Sequence, residues 1–343
     1  MDGDPLNRPP IGILLSDVVD RQYGARIDAI AAASAVPVHR ITAPCEAAEV
    51  ATIDIAFFSR DLYEGSSVRK PAPPSSSFFA LTDAAPRLRW LHVFSSGLDL
   101  PSYQTSLARG VQVTGSSGAT APFIAQSVLA AVLGQSRGFA HWLGAQQRRD
   151  WAPLHGDRRP RPIVGQRAVV VGTGPIGMEI ARLLGLVGFH TAAVRRRPGA
   201  TPPFDESFTL DALDSLLPGC DWLVLACPLN DSTRGLLDAR RLALMPATAR
   251  LANVARGELV DEEALTRSLE NSRLAGAFLD VFAAEPLPTD SPLWMLPGVW
   301  ITPHNCAASQ GYEERVVDAF LARLGPWLRD LHTAREARED CHL

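Results

Sequence analysis

Lysine is almost missing from this 343-residue chain: Lys70 is the only one, and every other basic residue is arginine. Chemistries that need an activated amine or a GK[ST] phosphate loop are therefore excluded. Lys70 itself lies in the polar, proline-rich run SSVRKPAPPSSS, which predicts an exposed loop. Cysteines are few and scattered: Cys45, Cys220, Cys227, Cys306 and Cys341 form no CxxC pair and no Cys/His cluster of zinc spacing, so no metal is expected and the thiols read as reduced and structural. Basic charge is not in excess either; a formal net charge of -4 argues against a nucleic-acid surface. There is no uninterrupted run of about 20 apolar residues to span a bilayer. The opening MDGDPLNRPP lacks the basic-then-apolar signature of a secretory leader, so a cytosolic protein is expected. No internal repeat or long low-complexity tract is present.

What the chain does have is hydrophobic content of 46% and a length sufficient for two domains, each with its own core. Apolar runs bounded by turn signals alternate with helical patterns, the mark of α/β layers on parallel sheets. In the first part, residues 11–16 (IGILLS), 53–59 (IDIAFFS), 90–96 (WLHVFSS) and 111–115 (VQVTG) predict strands, and 21–35 predicts a helix. A second series predicts six strands: RAVVVG from Arg167, HTAAV (190–194), DWLVLAC (221–227), ARLANV (249–254), GAFLDV (276–281) and VWITP (299–303). That series fits a Rossmann-type, doubly wound dinucleotide-binding domain, expected over 120–305. The helical run from Pro122 to about Leu143 would lead into it. The amphipathic run from Gln310 to Leu331 would return to the first domain, leaving a second, discontinuous α/β domain over 1–119 and 306–343.

Three features carry chemistry. Gly172-Thr173-Gly174-Pro175-Ile176-Gly177 has the G-x-G-x-x-G spacing between a β-branched strand and a helical pattern. In that context the glycines permit a tight turn, close approach of a pyrophosphate and helix–strand packing, and helix N-terminal amides bind the phosphates. The next strand ends Val194-Arg195-Arg196-Arg197, where an NAD-specific site has an acidic residue for the ribose hydroxyls. Three guanidinium groups suit a 2′-phosphate instead, so NADP(H) is expected ahead of NAD(H).

The third feature is a set of strand ends, where ligands of open α/β sheets bind. Three successive predicted strands end in Arg256, Glu285 and His304. Reduction of a 2-keto acid requires a carboxylate anchor, a proton donor and a hydride source. Arginine suits the first as a bidentate fork, and histidine suits the second near neutral pH. A carboxylate paired with the histidine orients it and favours its charged form.

With GTGPIG, LACPLNDSTRGLL, LANVARGELVDEEAL, LAGAFLDVFAAEPLP, SPLW and ITPHNCA in this order, the chain resembles the D-isomer-specific 2-hydroxyacid dehydrogenases over nearly its whole length, most closely from Pro162 to Ala307. The resemblance implies that the first domain is flavodoxin-like, that Arg256 binds the substrate carboxylate and carbonyl, that His304 is the acid/base, and that Glu285 pairs with it. It implies further that Ser96 and Gly97 offer backbone N–H groups to the carboxylate. Cofactor contacts would come from Pro175, Ile176, Cys227, Pro228, Thr233, Val254 and Asp280. A homodimer is implied, built on the helix and arm between Pro122 and Trp151. The arginine-rich ribose loop is closest to the glyoxylate/hydroxypyruvate reductase branch. Ala125-Gln126 departs from the Ala-Glu of many members. A non-catalytic, dinucleotide-sensing corepressor on the same fold is the competing expectation.

Overall fold

A computed structural model describes residues 9–66, 72–197 and 199–340, without the side chains of 331–340. The chain divides into two compact units, one formed by 1–119 with 310–343 and the other by 120–309.

The first unit runs β1 (Ile11–Leu15), α1 (Asp17–Ala33), β2 (Val38–Thr42), α2 (Ala47–Val50), β3 (Ile53–Phe58), α3 (Pro73–Ala84), β4 (Trp90–Val93), α4 (Pro101–Ala108) and β5 (Gln112–Gly115). Its five parallel strands lie in the order β2-β1-β3-β4-β5, the flavodoxin-like arrangement. The strands β1 and β3 are buried at every position, and apart from Asp54, paired with Arg87 and Arg89, both read as apolar runs. Ser16 caps α1 by accepting from the Val19 N–H at 3.1 Å. The strand β2, not anticipated from VHRIT, is an edge strand with mixed exposure. Lys70 falls outside the described residues. The end of its run is no loop, because Pro73 stands in the first turn of α3, where the missing N–H costs nothing.

The C-terminal helix, here the last in the chain, packs on this unit. Val316, Val317, Phe320, Leu324 and Leu328 join its core, and the Phe320 ring stacks on Phe57 with centroids 4.6 Å apart. Arg26 of α1 bonds Asp318 at 2.7 Å across the same contact.

The second unit contains α5 (Ser117–Ser136), α6 (Phe139–Gln147), β6 (Arg167–Val171), α7 (Pro175–Leu186), β7 (His190–Arg195), β8 (Glu206–Thr209), α8 (Leu213–Leu216), β9 (Trp222–Leu225), α9 (Ala239–Leu244), β10 (Arg250–Asn253), α10 (Glu262–Glu270), β11 (Gly276–Leu279) and β12 (Val299–Ile301), with α11 (Tyr312–Asp340) completing the chain in the first unit. The sheet order is β12-β11-β10-β9-β6-β7-β8, all parallel, so the winding reverses between β6 and β9. Here the expected six strands become seven. The extra strand is β8, a short, half-polar edge.

The single helix expected over 122–143 breaks at Gly138, whose φ of +79° ends α5 and starts α6. The α5 helix has the length and composition of a membrane span, but Ala125, Val128 and Val132 are fully buried in the unit's core. Gly134 is needed there, since a Cβ would lie 2.4 Å from the Trp300 ring. Residues 306–309, expected in the first domain, belong to the second unit, because buried Cys306 joins the core beneath α5.

Candidate active site

The loops after β6 and β9 meet at the point where the winding reverses. Gly172 has φ +110°, and a Cβ on it would lie 2.5 Å from the Ala226 carbonyl oxygen. A Cβ on Gly177 would lie 1.9 Å from the Gly172 oxygen, so both positions require glycine. Gly174 differs: nothing lies within 4 Å of where its Cβ would be. It is also the N-cap of α7 and offers no side-chain bond to the first-turn amides, with Pro175 next. Open space facing uncapped amides at a helix N-terminus fits the pyrophosphate of a dinucleotide.

The other expected cofactor residues lie around the same edge of the sheet. Cys227 is buried, and burial pushes its thiol up to about 11, so it is inert packing beside Pro228. Thr233 closes the loop after β9: its hydroxyl donates to the Pro228 carbonyl at 2.8 Å and accepts the Asn230 N–H at 2.9 Å. Ile176 and Val254 belong to the core around α5 and α7. At the end of β7, the Arg195 guanidinium bonds the Thr201 hydroxyl, while Arg196 and Arg197 are exposed.

The three strand ends that follow β10, β11 and β12 hold the expected catalytic residues Arg256, Glu285 and His304. Asn253 shapes the first: its side chain accepts the Ala255 N–H at 3.1 Å and donates to the Arg256 carbonyl at 2.9 Å. Arg256 in turn donates from Nη1 to the Ala255 carbonyl at 2.6 Å. Gly257 then passes against the next loop, where a Cβ would lie 1.9 Å from the Phe282 carbonyl carbon. That close approach joins the Arg256 loop to the loop carrying Glu285.

One Glu285 oxygen accepts the Phe282 N–H at 3.1 Å, and the other bonds His304 Nδ1 at 2.8 Å. A carboxylate only accepts, so Nδ1 carries a hydrogen and Nε2 is the ring nitrogen not engaged by Glu285. Burial pushes the Glu285 carboxyl up, but the bond and charge of His304, the Phe282 N–H and the Arg256 charge outweigh it and hold the acid below its ordinary range. Glu285 is therefore an anion at neutral pH.

Asp280, expected as a cofactor contact, is tied to the chain after β12. Its buried carboxylate accepts from the Thr302 hydroxyl at 2.6 Å, the Asn305 N–H at 2.8 Å and the Cys306 N–H at 3.2 Å. The His304 N–H donates to its main-chain carbonyl at 2.8 Å. These bonds hold His304 at φ +51°, a conformation a side-chain-bearing residue keeps only under constraint.

Ser96 and Gly97 lie in the first unit, in the turn after β4. The Ser95 hydroxyl donates to the Gly97 carbonyl at 2.8 Å, and the Ser116 N–H donates to the Ser95 carbonyl at 3.0 Å. Among the expected site residues, Arg256, Glu285 and His304 come together in one unit, and Ser96 and Gly97 belong to the other.

Comparison with known proteins agrees with this geometry. Residues 129–306 match the family described as "D-isomer specific 2-hydroxyacid dehydrogenase, NAD binding domain". Glyoxylate/hydroxypyruvate reductase B of Yersinia enterocolitica is 31% identical over 233 residues, covering 67% of this chain and 71% of that protein. A D-isomer specific 2-hydroxyacid dehydrogenase from Xanthobacter autotrophicus Py2, solved with NADPH and MES, superposes with a TM-score of 0.71 at 28% identity, over 92% of this chain and 95% of that one. The NADPH-dependent glyoxylate/hydroxypyruvate reductase of Sinorhizobium meliloti shares the fold, with a TM-score of 0.69 at 22% identity over 95% and 96% of the two chains. A dinucleotide-binding sheet with Arg256, Glu285 and His304 at its strand ends thus has a known kind, and the chain belongs to the D-isomer specific 2-hydroxyacid dehydrogenases, NAD(P)-dependent oxidoreductases.

Proposed function

We propose that the protein reduces small 2-keto acids of the glyoxylate and hydroxypyruvate type, with NADPH used ahead of NADH. The observation that carries this reading is the 2.8 Å bond between His304 Nδ1 and Glu285. It turns Nε2 toward the work of an acid and places an anion beside the imidazolium. When bound, the reduced nicotinamide supplies the hydride that adds to the keto carbon. His304 gives its Nε2 proton to the carbonyl oxygen as that oxygen gains charge, yielding the 2-hydroxy acid and neutral histidine. Arg256 holds the carboxylate and the reacting carbonyl through its fork, and the Ser96 and Gly97 N–H groups take the carboxylate. Asp280 keeps His304 in place.

For cofactor choice, Arg196 and Arg197, exposed beyond β7, support recognition of a 2′-phosphate, with Arg195 braced by Thr201. A charge-assisted bond of this kind is worth about 1.5–3 kcal/mol, a tenfold to hundredfold preference. A homodimer through α6 and the arm after it is part of the same reading. Its support is an exposed apolar set: Phe139, Trp142, Leu143 and Trp151, the last 95% exposed. A single-chain mass at all concentrations by light scattering contradicts it.

The test of the reaction is a substrate panel run with both reduced cofactors. Glyoxylate and hydroxypyruvate should be reduced with NADPH at about tenfold or greater advantage over NADH. Equal use of NADH removes the phosphate-reading role of the arginines. No turnover with any 2-keto acid removes the reductase reading.

A further inference from the structure

The first unit holds a cation that the reaction above does not use. Arg60 follows β3 by two residues, at the C-terminal edge of the sheet, and is exposed. Its guanidinium lies over two rings, 5.5 Å from the Tyr63 centroid and 5.4 Å from that of Phe94. The rings are themselves 5.3 Å apart. Tyr312 of α11 completes the group by donating its hydroxyl to the Phe94 carbonyl at 3.4 Å.

Other arginines of this unit are spent on carboxylates: Arg26 on Asp318, Arg40 on Asp20 and Asp28, Arg87 and Arg89 on Asp54, and Arg109 on Asp83. Among the described residues no ion pair joins Arg60 to an acid. Stacking uses the face of a guanidinium, whereas its donors point outward in the plane, so a stacked arginine still has edges to bind an anion in a fork. Ring contacts also fix the group before the anion arrives, which lowers the entropy lost on binding. The position is informative as well. Phe94 opens the turn of Ser95, Ser96 and Gly97, and that turn is pinned by the Ser95 hydroxyl and the Ser116 N–H.

We propose that Arg60 is a specificity-determining residue: it binds a carboxylate at the far end of the substrate while the 96–97 amides take the carboxylate beside the keto group. The preferred substrates are then short 2-keto dicarboxylic acids. This rests on the assignment of Ser96 and Gly97 to the substrate under the proposed function.

Oxaloacetate and 2-oxobutyrate form a matched pair, differing at the terminal group as carboxylate against methyl. With NADPH, the wild-type kcat/KM should favour oxaloacetate by about tenfold to a hundredfold, the yield of one charge-assisted contact. In R60Q that ratio should fall by the same factor, mainly through KM. R60K should restore part of it, as a point charge without the fork. Added salt should erode the wild-type ratio and leave that of R60Q unmoved, which a packing role for Arg60 does not predict. NADPH binding by R60Q, read by fluorescence, checks that the variant is folded. A ratio that stays put in R60Q overturns the inference. So does a preference for phosphohydroxypyruvate over oxaloacetate, which assigns the fork to a phosphate. If glyoxylate and 2-oxobutyrate are reduced but oxaloacetate is not favoured, Arg60 loses its role and the reductase reading stands. If no 2-keto acid is reduced, both fall.

Discussion

In the second unit, the loops after β10, β11 and β12 each end in a charged or titratable side chain, and hydrogen bonds run from loop to loop: Asn253 shapes the Arg256 turn, Glu285 meets His304, and Asp280 ties down the chain after β12. In the first unit, the loops after β3 and β4 present ring faces, backbone N–H groups and one stacked arginine. Both are parallel sheets with their functional candidates at the carboxyl edge, yet only one edge gathers acid, base and arginine in a single hydrogen-bonded set. The difference teaches where a reading of residues has purchase. A catalytic acid or an anion clamp must be one of a few residue types, whereas a main-chain amide can be supplied by any residue.

The comparison can be strained from the first unit. That unit is sealed by α11, with Phe320 buried against Phe57, Trp90 and His92. Phe320→Ala removes a ring from a closed core and should destabilise the protein by about 3–5 kcal/mol, measured by denaturant unfolding. The variant should still bind NADPH below its unfolding transition, because the dinucleotide edge belongs to the other unit. Loss of NADPH binding in step with the lost stability would show the units to be one cooperative body.

A smaller effect sharpens the account of the second unit. Glu285 is held below the ordinary carboxylate range against its burial, so the charge beside His304 persists through neutral pH. Glu285→Gln preserves an acceptor for Nδ1 and removes the charge, so turnover of glyoxylate should fall by about tenfold with NADPH binding unchanged. Turnover unchanged in the variant would leave Glu285 as a brace without electrostatic effect.

Much of this fold was legible in advance. β-branched or mostly apolar runs marked β1, β3 and β6, because strands buried on both faces carry few polar residues. The two strands missed, β2 and β8, are both sheet edges, and VHRIT and ESFT carry the polar residues an edge allows. Arg256, Glu285 and His304 were legible because three consecutive strand ends carried them in reaction-ready types. Asp280 was seen only as a cofactor contact; its bonds to Thr302, Asn305 and Cys306 join it to a loop beyond the next strand, which no local pattern shows. Gly257 and Arg60 escaped altogether. One matters through a contact with a loop 25 residues on, at Phe282, and the other through rings brought to it from Tyr63 and Phe94.

The central claim, that the strand-end set of the second unit performs the chemistry, is tested most directly by His304→Ala assayed for both turnover and NADPH binding. Turnover of glyoxylate should fall by about two to four orders of magnitude, the contribution of a positioned general acid. NADPH should bind as to wild type, since the glycine turn and the end of β7 are untouched. Turnover within a few-fold of wild type would contradict the claim and move the proton donor elsewhere.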